Sequence, residues 1–218
     1  AESDIEAMIT EMKPWYDNYS FAKECLESNI RVFNCDMVLY YLRNYISYKH
    51  SPEIMLDPNT KTDYKKLNML IQLDKLDGNR HGVMMEIIEK GEIAATLIPS
   101  FSANEMTYPE TFPSLLFYYG MLTIKGTRGS RLILGIPNNN VRKQYYNYIL
   151  KQYAQYKIVN VNKLQIAFVK MSLDGLWQEP LQYMADCYKQ LSSVRDVIEG
   201  ERNIQGFFLA YLSLNDYY

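Results

Sequence analysis

Two apolar runs, MLTIK at 121–125 and RLILGI at 131–136, flank five residues, Gly126, Thr127, Arg128, Gly129 and Ser130. Apolar runs of this length on either side of a short, glycine-containing linker predict an antiparallel hairpin. Upstream, EIAATLIP from Glu92 is strand-like and SLLFYYG from Ser114 is helix-like. Downstream, Asn138 is placed to cap a long helix, VRKQYYNYILKQYAQY, with Val141, Tyr145, Tyr148, Ile149 and Tyr156 near one side.

The rest of the chain reads mostly as helix. Ser3 and Glu6 have capping-box spacing, followed by Ile5, Met8, Ile9 and Met12 on one face and by Pro14, which is expected to end the helix. WYDNYSF at 15–21, with Asp17 and Asn18 between aromatics, and IRVF at 30–33 suggest a small hairpin. Asn34 is a candidate cap, with Asp36 in the first turn and Val38, Leu39, Leu42, Tyr45 and Ile46 directed inward. SPEIMLDPNT, with two prolines, reads as a loop, and helices follow around 63–76 and 80–90, the second stopped by Gly91. Three more helices lie around 162–173, 179–192 and 200–214. The predicted fold is mainly α with a small β component, a helical bundle carrying a β-hairpin. Within it helix, strand, short helix, helix and hairpin follow in the order of a winged helix, a helix-turn-helix variant.

Of the 218 residues 48% are hydrophobic and 22% charged, enough to bury a core and too apolar for a disordered chain. The longest uncharged stretch, 111–124, contains Pro113 and Gly120 and is shorter than the ~20 apolar residues of a membrane-spanning helix. No membrane partner is expected. Cys25, Cys35 and Cys187 form neither a CxxC pair nor an even set, which fits a reducing cytoplasm. The opening AESDIEAMITEM has no initiator Met and no signal-peptide pattern, as expected for a piece of a longer protein.

The net charge of −2 hides a segregation. Residues 111–173 hold nine basic side chains and no acid, whereas both flanks are net acidic. The middle segment therefore either presents a basic face or packs against its acidic neighbours.

Catalytic signatures are missing. The nearest approach to a phosphate-cradling GxxxxGK[ST] loop is Gly120 to Thr127, where Lys125 precedes Gly126 and the residues read better as a strand. His50 and His81 are the only histidines, too few for a multi-histidine zinc site. Asp57, Asp63 and Lys65 imitate the carboxylates and lysine of a metal-dependent nuclease, but their spacing is too short. Glu11, Met12 and Lys13 fall at the end of a helix.

Five strings in order, WYDNYSF at Trp15, RVFNCDMVLYYL at Arg31, SLLFYYGMLTI at Ser114, LGIPNNNVR at Leu134 and SSVRDVIEGERNIQGFFLAYLSLNDYY at Ser192, resemble bacterial AAA-ATPase-like proteins fused to a PD-(D/E)XK nuclease domain. One departure is Cys35, where the family often has a proline after the Asn. The resemblance implies that the P-loop and Walker B strands precede this stretch and that the nuclease carboxylates and lysine follow it. It implies residues 1–78 as the helical end of the ATPase-like module, 79–158 as a winged-helix-like segment and 159–218 as a connector leading into the nuclease. ATP and a divalent metal are implied for the parent protein, with no cofactor expected in this stretch. Glu201 matches a position that sometimes joins the nuclease metal site, although Glu199 and Glu201 equally suit a helix start.

The expected function is that of a non-catalytic interdomain module, with Lys125, Arg128, Arg131, Arg142 and Lys143 on or near the wing as phosphate contacts to DNA. The alternative is a structural or protein-interaction module whose basic segment faces acidic neighbours. SLLFYYG carries no charge and no amide side chain, which argues against base reading from that helix. Ile204, Phe207, Phe208, Tyr211 and Leu212 form an apolar stripe expected to be exposed or to meet a partner, including a second copy of the chain.

Overall fold

The structure is a computed structural model that describes residues 2–57, 80–102, 105–192 and 202–214. It is mainly helical, with a small three-stranded antiparallel sheet, as the sequence predicts. The helix expected around 63–76 lies outside the described residues. Contacts divide the chain into two compact units, Ala1–Arg142 and Lys143–Tyr218.

In the first unit, α1 (Glu2–Tyr16) packs with α3 (Cys35–Tyr48) around Met12, Tyr16, Met37 and Tyr41. Pro14 does not end α1 but lies inside it. Its ring costs one backbone hydrogen bond, a loss offset by the complete burial of Tyr16, whose hydroxyl donates to the Met55 carbonyl at 2.7 Å. Because Met12 and Tyr16 set the inward face, Ile5 and Ile9 stay exposed, contrary to the expected stripe.

Asn34 caps α3 as expected, its side chain accepting from the Met37 amide at 3.2 Å. The inward face is rotated from the predicted one. Met37 and Tyr41 are buried, Val38, Leu42 and Tyr45 pack partly against them, and Leu39 and Ile46 are 60% and 68% exposed. The expected small hairpin reduces to a single antiparallel bridge, Tyr19 with Val32, enclosing the one-turn helix α2 (Glu24–Glu27).

The sheet follows. Helix α4 (Arg80–Lys90) ends at Gly91, whose positive φ of 72° and amide bond to the Ile87 carbonyl close the last turn. It leads into β1 (Glu92–Ala95), two 3-10 turns and α5 (Phe112–Tyr118). Strands β2 (Thr123–Arg128) and β3 (Arg131–Gly135) form the expected hairpin, and β3 is the central strand, antiparallel to both neighbours.

The hairpin linker is shorter than the five residues expected. The β2–β3 register shifts between Ile124 and Gly126, leaving Lys125 as the extra residue of a β-bulge. Gly126, Thr127 and Arg128 thus continue the pairing, and only Gly129 and Ser130 form the turn. Gly129, at φ 60°, occupies the first central position, where a positive φ matches the strands' twist.

The open edge of β2 is met by the aromatic segment after α1. The Ile124 amide donates to the Ser20 carbonyl at 3.0 Å. Thr123 Oγ1 accepts from the Ser20 amide at 2.7 Å and donates to its carbonyl at 3.1 Å. WYDNYSF is therefore a structural joint between the α1–α3 pair and the sheet.

Helix α6 (Asn139–Ala154) starts in the first unit, capped as expected by Asn138, whose Oδ1 accepts from the Val141 amide at 3.1 Å. The second unit holds the remainder of α6 with α7 (Val161–Asp174), α8 (Gln178–Ser192) and α9 (Arg202–Leu212). Its apolar stripe is not left open. Phe207 and Tyr211 are buried, Phe207 meeting Tyr153 at 5.1 Å and Tyr188 at 5.3 Å between ring centroids, while Ile204 stays exposed. The expected stripe needs no missing sheet, because tyrosines of α6 and α8 fill that place.

Candidate nucleic-acid interface

The basic side chains singled out from the sequence separate into three groups. Arg128 and Arg131 are directly paired across the hairpin turn, and both are exposed. Neither meets a carboxylate among the described residues. Side chains alternate along a strand with period two, so Arg131, Ile133 and Gly135 share one face of β3, and Arg128 joins them as the partner of Arg131.

Lys125 joins that face through a different device. A Cβ placed on Gly135 would come within 2.6 Å of Lys125 Cδ, so the lysine stem lies across the glycine. The bulge brings Gly126 and Arg128 onto this face, and Lys125 lies two residues from Thr123, the partner of Gly135, so alternation puts it on the same face, where Gly135 makes room for it. The side chain then borders a cleft of ≈ 470 Å³ lined by Pro14, Asn18, Arg31, Ile124, Lys125, Ile136, Pro137, Asn138, Asn139 and Arg142. Three of these residues are cationic and none is acidic.

The cleft's electrostatics show on Lys125. Although Lys125 as a whole is exposed, partial desolvation and the neighbouring Arg142 guanidinium hold its pKa below the ordinary lysine range, while Glu92 acts in the opposite direction. Like charges are thus held close, an arrangement that disfavours the charged form unless an anion joins them. Arg142 Nη1 donates to Asn139 Oδ1 at 3.2 Å, and Arg31 Nη1 donates to the carbonyls of Ile30 at 2.9 Å and Cys25 at 3.3 Å. Each guanidinium is steered by one nitrogen and keeps other donors. The Asn138 side chain is engaged at both ends, donating to the Asp17 carbonyl at 2.9 Å while capping α6.

Lys143 belongs to the second unit and is half-buried. Glu201 lies outside the described residues. Among the described residues no three His, Cys, Asp or Glu side chains lie close enough to hold a metal ion. The cleft's donors, guanidinium, ammonium and amide, suit an anion and not a divalent cation, which takes oxygen ligands. Glu11, near the end of α1, accepts the Tyr41 hydroxyl at 2.5 Å and is a structural group.

Sequence reasoning missed Arg31, Gly135 and Asn139. The basic run at 111–173 marked Lys125 and Arg142, but nothing near Arg31 marks it, since it reaches the cleft only through the Tyr19–Val32 bridge. Elsewhere the acidic flank does meet the basic segment, as Lys170 of α7 pairs with Glu179 of α8 at 3.2 Å on the surface. Among the described residues no helix is long and apolar enough to cross a membrane. No family model, no curated protein and no solved structure matches the chain.

Proposed function

We propose that this chain is a non-catalytic interdomain module of an ATPase–nuclease that contacts the backbone of duplex DNA through the basic face of its β2–β3 hairpin. The observation that carries this reading is the Arg128–Arg131 pair, two exposed guanidinium groups held opposite each other and meeting no carboxylate among the described residues, on the strand face that also carries Lys125. Like charges directly opposite in a sheet are unfavourable, and a row of phosphates relieves them. The order α4, β1, α5, β2, β3 with β3 central supports naming the hairpin as the wing of a winged helix.

In that arrangement α5 takes the place of the helix that reads bases. Its residues from Phe112 to Phe117 are all buried, so it does not enter a groove. Recognition then rests on phosphates and is independent of sequence. Three such contacts, from Arg128, Arg131 and Lys125, imply that affinity falls about fortyfold between 50 and 200 mM salt, through counterion release.

The experiment is fluorescence anisotropy of a labelled duplex of mixed sequence at several salt concentrations. Weak, sequence-independent binding is expected, reduced at least tenfold in an Arg128→Glu/Arg131→Glu chain. Absence of binding at 50 mM salt, or equal binding by that variant, would overturn the reading. The buried α5 favours the second reading in that event, a structural module whose basic face meets an acidic surface of the same parent protein.

A further inference from the structure

We propose that the cleft bounded by Arg31, Lys125 and Arg142 is a binding site for a terminal phosphate group, a phosphate monoester carried by a small molecule or by a strand end. The inference is separate from the hairpin contact with duplex backbone, because the cleft lies at the bulge and the start of α6, not at the hairpin tip.

Three elements distant in sequence deliver the cations. Arg31 comes from the Tyr19–Val32 bridge, Lys125 from the bulge of β2 and Arg142 from the first turns of α6. Arg142 bears on Lys125 more strongly than the opposing Glu92, which lies outside the lining, and Arg31 adds a third cation to the same walls, an arrangement that a dianion relieves. A diester carries one charge and an inorganic or monoester phosphate up to two, so the terminal group is the better match. Arginine supplies planar pairs of donors suited to phosphate oxygens, and lysine a compact charge.

The walls add a second requirement. Pro14, Ile124, Ile136 and Pro137 are apolar, and Asn18 and Asn139 offer amides beside the cations. A volume of ≈ 470 Å³ exceeds what a bare phosphate fills and falls in the range of small-molecule sites. The phosphate therefore sits at the cationic end, and a nucleoside-sized body occupies the remainder.

Lys125 is placed for this task by two features. It lies two residues from Thr123, the partner of Gly135, so strand alternation sets it on the glycine's face, and the missing Cβ leaves room for its stem, which any side chain at position 135 would displace.

The test is calorimetric titration of the full chain with inorganic phosphate, adenosine monophosphate and adenosine at 150 mM salt, and with single-stranded oligonucleotides bearing a 5′-phosphate or a 5′-hydroxyl. Phosphate and the monophosphate are expected to bind and adenosine not to. Lys125→Met, which keeps the stem, and Arg142→Gln should each weaken binding at least tenfold, while Lys23→Gln, an equal loss of charge at an exposed site, leaves it unchanged. Tighter binding of the 5′-phosphorylated strand than of the monophosphate identifies a strand end as the source, and the reverse identifies a small molecule. Equal binding of adenosine and its monophosphate, or monophosphate binding equal in Lys125→Met, Arg142→Gln and the unaltered chain, overturns the proposal. Circular dichroism of each variant, matched to the unaltered chain, accompanies every titration. Should one cleft variant lose its fold, the other carries the test.

Discussion

Arg128 and Arg131 stand directly opposite each other at the end of the β2–β3 ladder, with only Gly129 and Ser130 between them. Two like charges in that position are destabilising, whereas an opposite-charge pair contributes roughly 0.2–1 kcal/mol. Replacing one by an acid should turn the repulsion into attraction. We expect Arg131→Glu to raise the urea unfolding free energy by about 0.5 kcal/mol, within the usual range for cross-strand pairs, while weakening duplex binding. A variant that is both less stable and equally tight would remove the functional reason for the pair.

Thr123 ties the sheet edge to Ser20 by two buried hydrogen bonds from a single hydroxyl. Thr123→Val keeps the shape and removes the acceptor, leaving the Ser20 amide without a partner. The expected loss is about 1–3 kcal/mol in denaturant unfolding, the cost of an unsatisfied buried donor. Unchanged stability would mean that water reaches the Ser20 amide.

Gly135→Ala should displace the Lys125 stem, because the new methyl takes its space. The side chain is flexible, so the fold should survive. Nitrogen-detected titration should then show the Lys125 ammonium returning toward ordinary lysine behaviour, and monophosphate binding should fall. A Lys125 titration unmoved by the alanine would show that the glycine does not position it.

The lowered Lys125 pKa has a stability consequence with a definite sign. The folded chain disfavours the protonated amine, so below the folded pKa the charged lysine is a penalty, and in the window up to the ordinary lysine value the unfolded chain binds more protons. Stability relative to Lys125→Met therefore rises as pH increases through that window. Chemical unfolding of both chains at neutral pH and at about pH 10, near the ordinary lysine value, should show the difference shrinking. A constant difference would contradict it.

Tyr211 has its phenol pushed up to about 12, by burial first and by Cys187 and Tyr183 next. Burial likewise raises Tyr16, Tyr41 and Tyr153. Their stabilising contribution is complete below the ordinary tyrosine value and is lost as pH climbs from there through the folded values, because the unfolded chain releases the protons first. Absorbance at ~295 nm, where ionised phenols absorb, should therefore follow a cooperative step that coincides with loss of helix above about pH 10, the ordinary phenol range. Gradual ionisation without unfolding would show these phenols to be accessible.

Three helix caps were legible residue by residue, whereas Ser3, expected as a cap, and Pro14, expected as a stop, both lie inside α1. Asn34 and Asn138 bond amides three residues on, and Gly91 closes its helix, because these depend on neighbours within one turn. Which face a helix buries was less legible. Leu39 and Ile46 are as apolar as Met37 and Tyr41, yet only the latter two meet α1, and that choice is made by the partner.

The sequence by itself determined a mainly helical chain with one hairpin and a carboxylate-free basic stretch, since propensity, capping and periodicity act over a few residues. Only the tertiary structure decided that α5 is buried, that Ser20 meets Thr123 from 103 positions away, and that Arg31 shares a cleft with Lys125 and Arg142. The physical reason is that local patterns set which surfaces want cover, whereas the covering segment is chosen by packing and hydrogen-bond satisfaction across the whole unit. The bulge at Lys125 belongs to the same class. A one-residue shift in register is invisible in an apolar run, and it moves the Arg128 guanidinium to the face that carries Lys125.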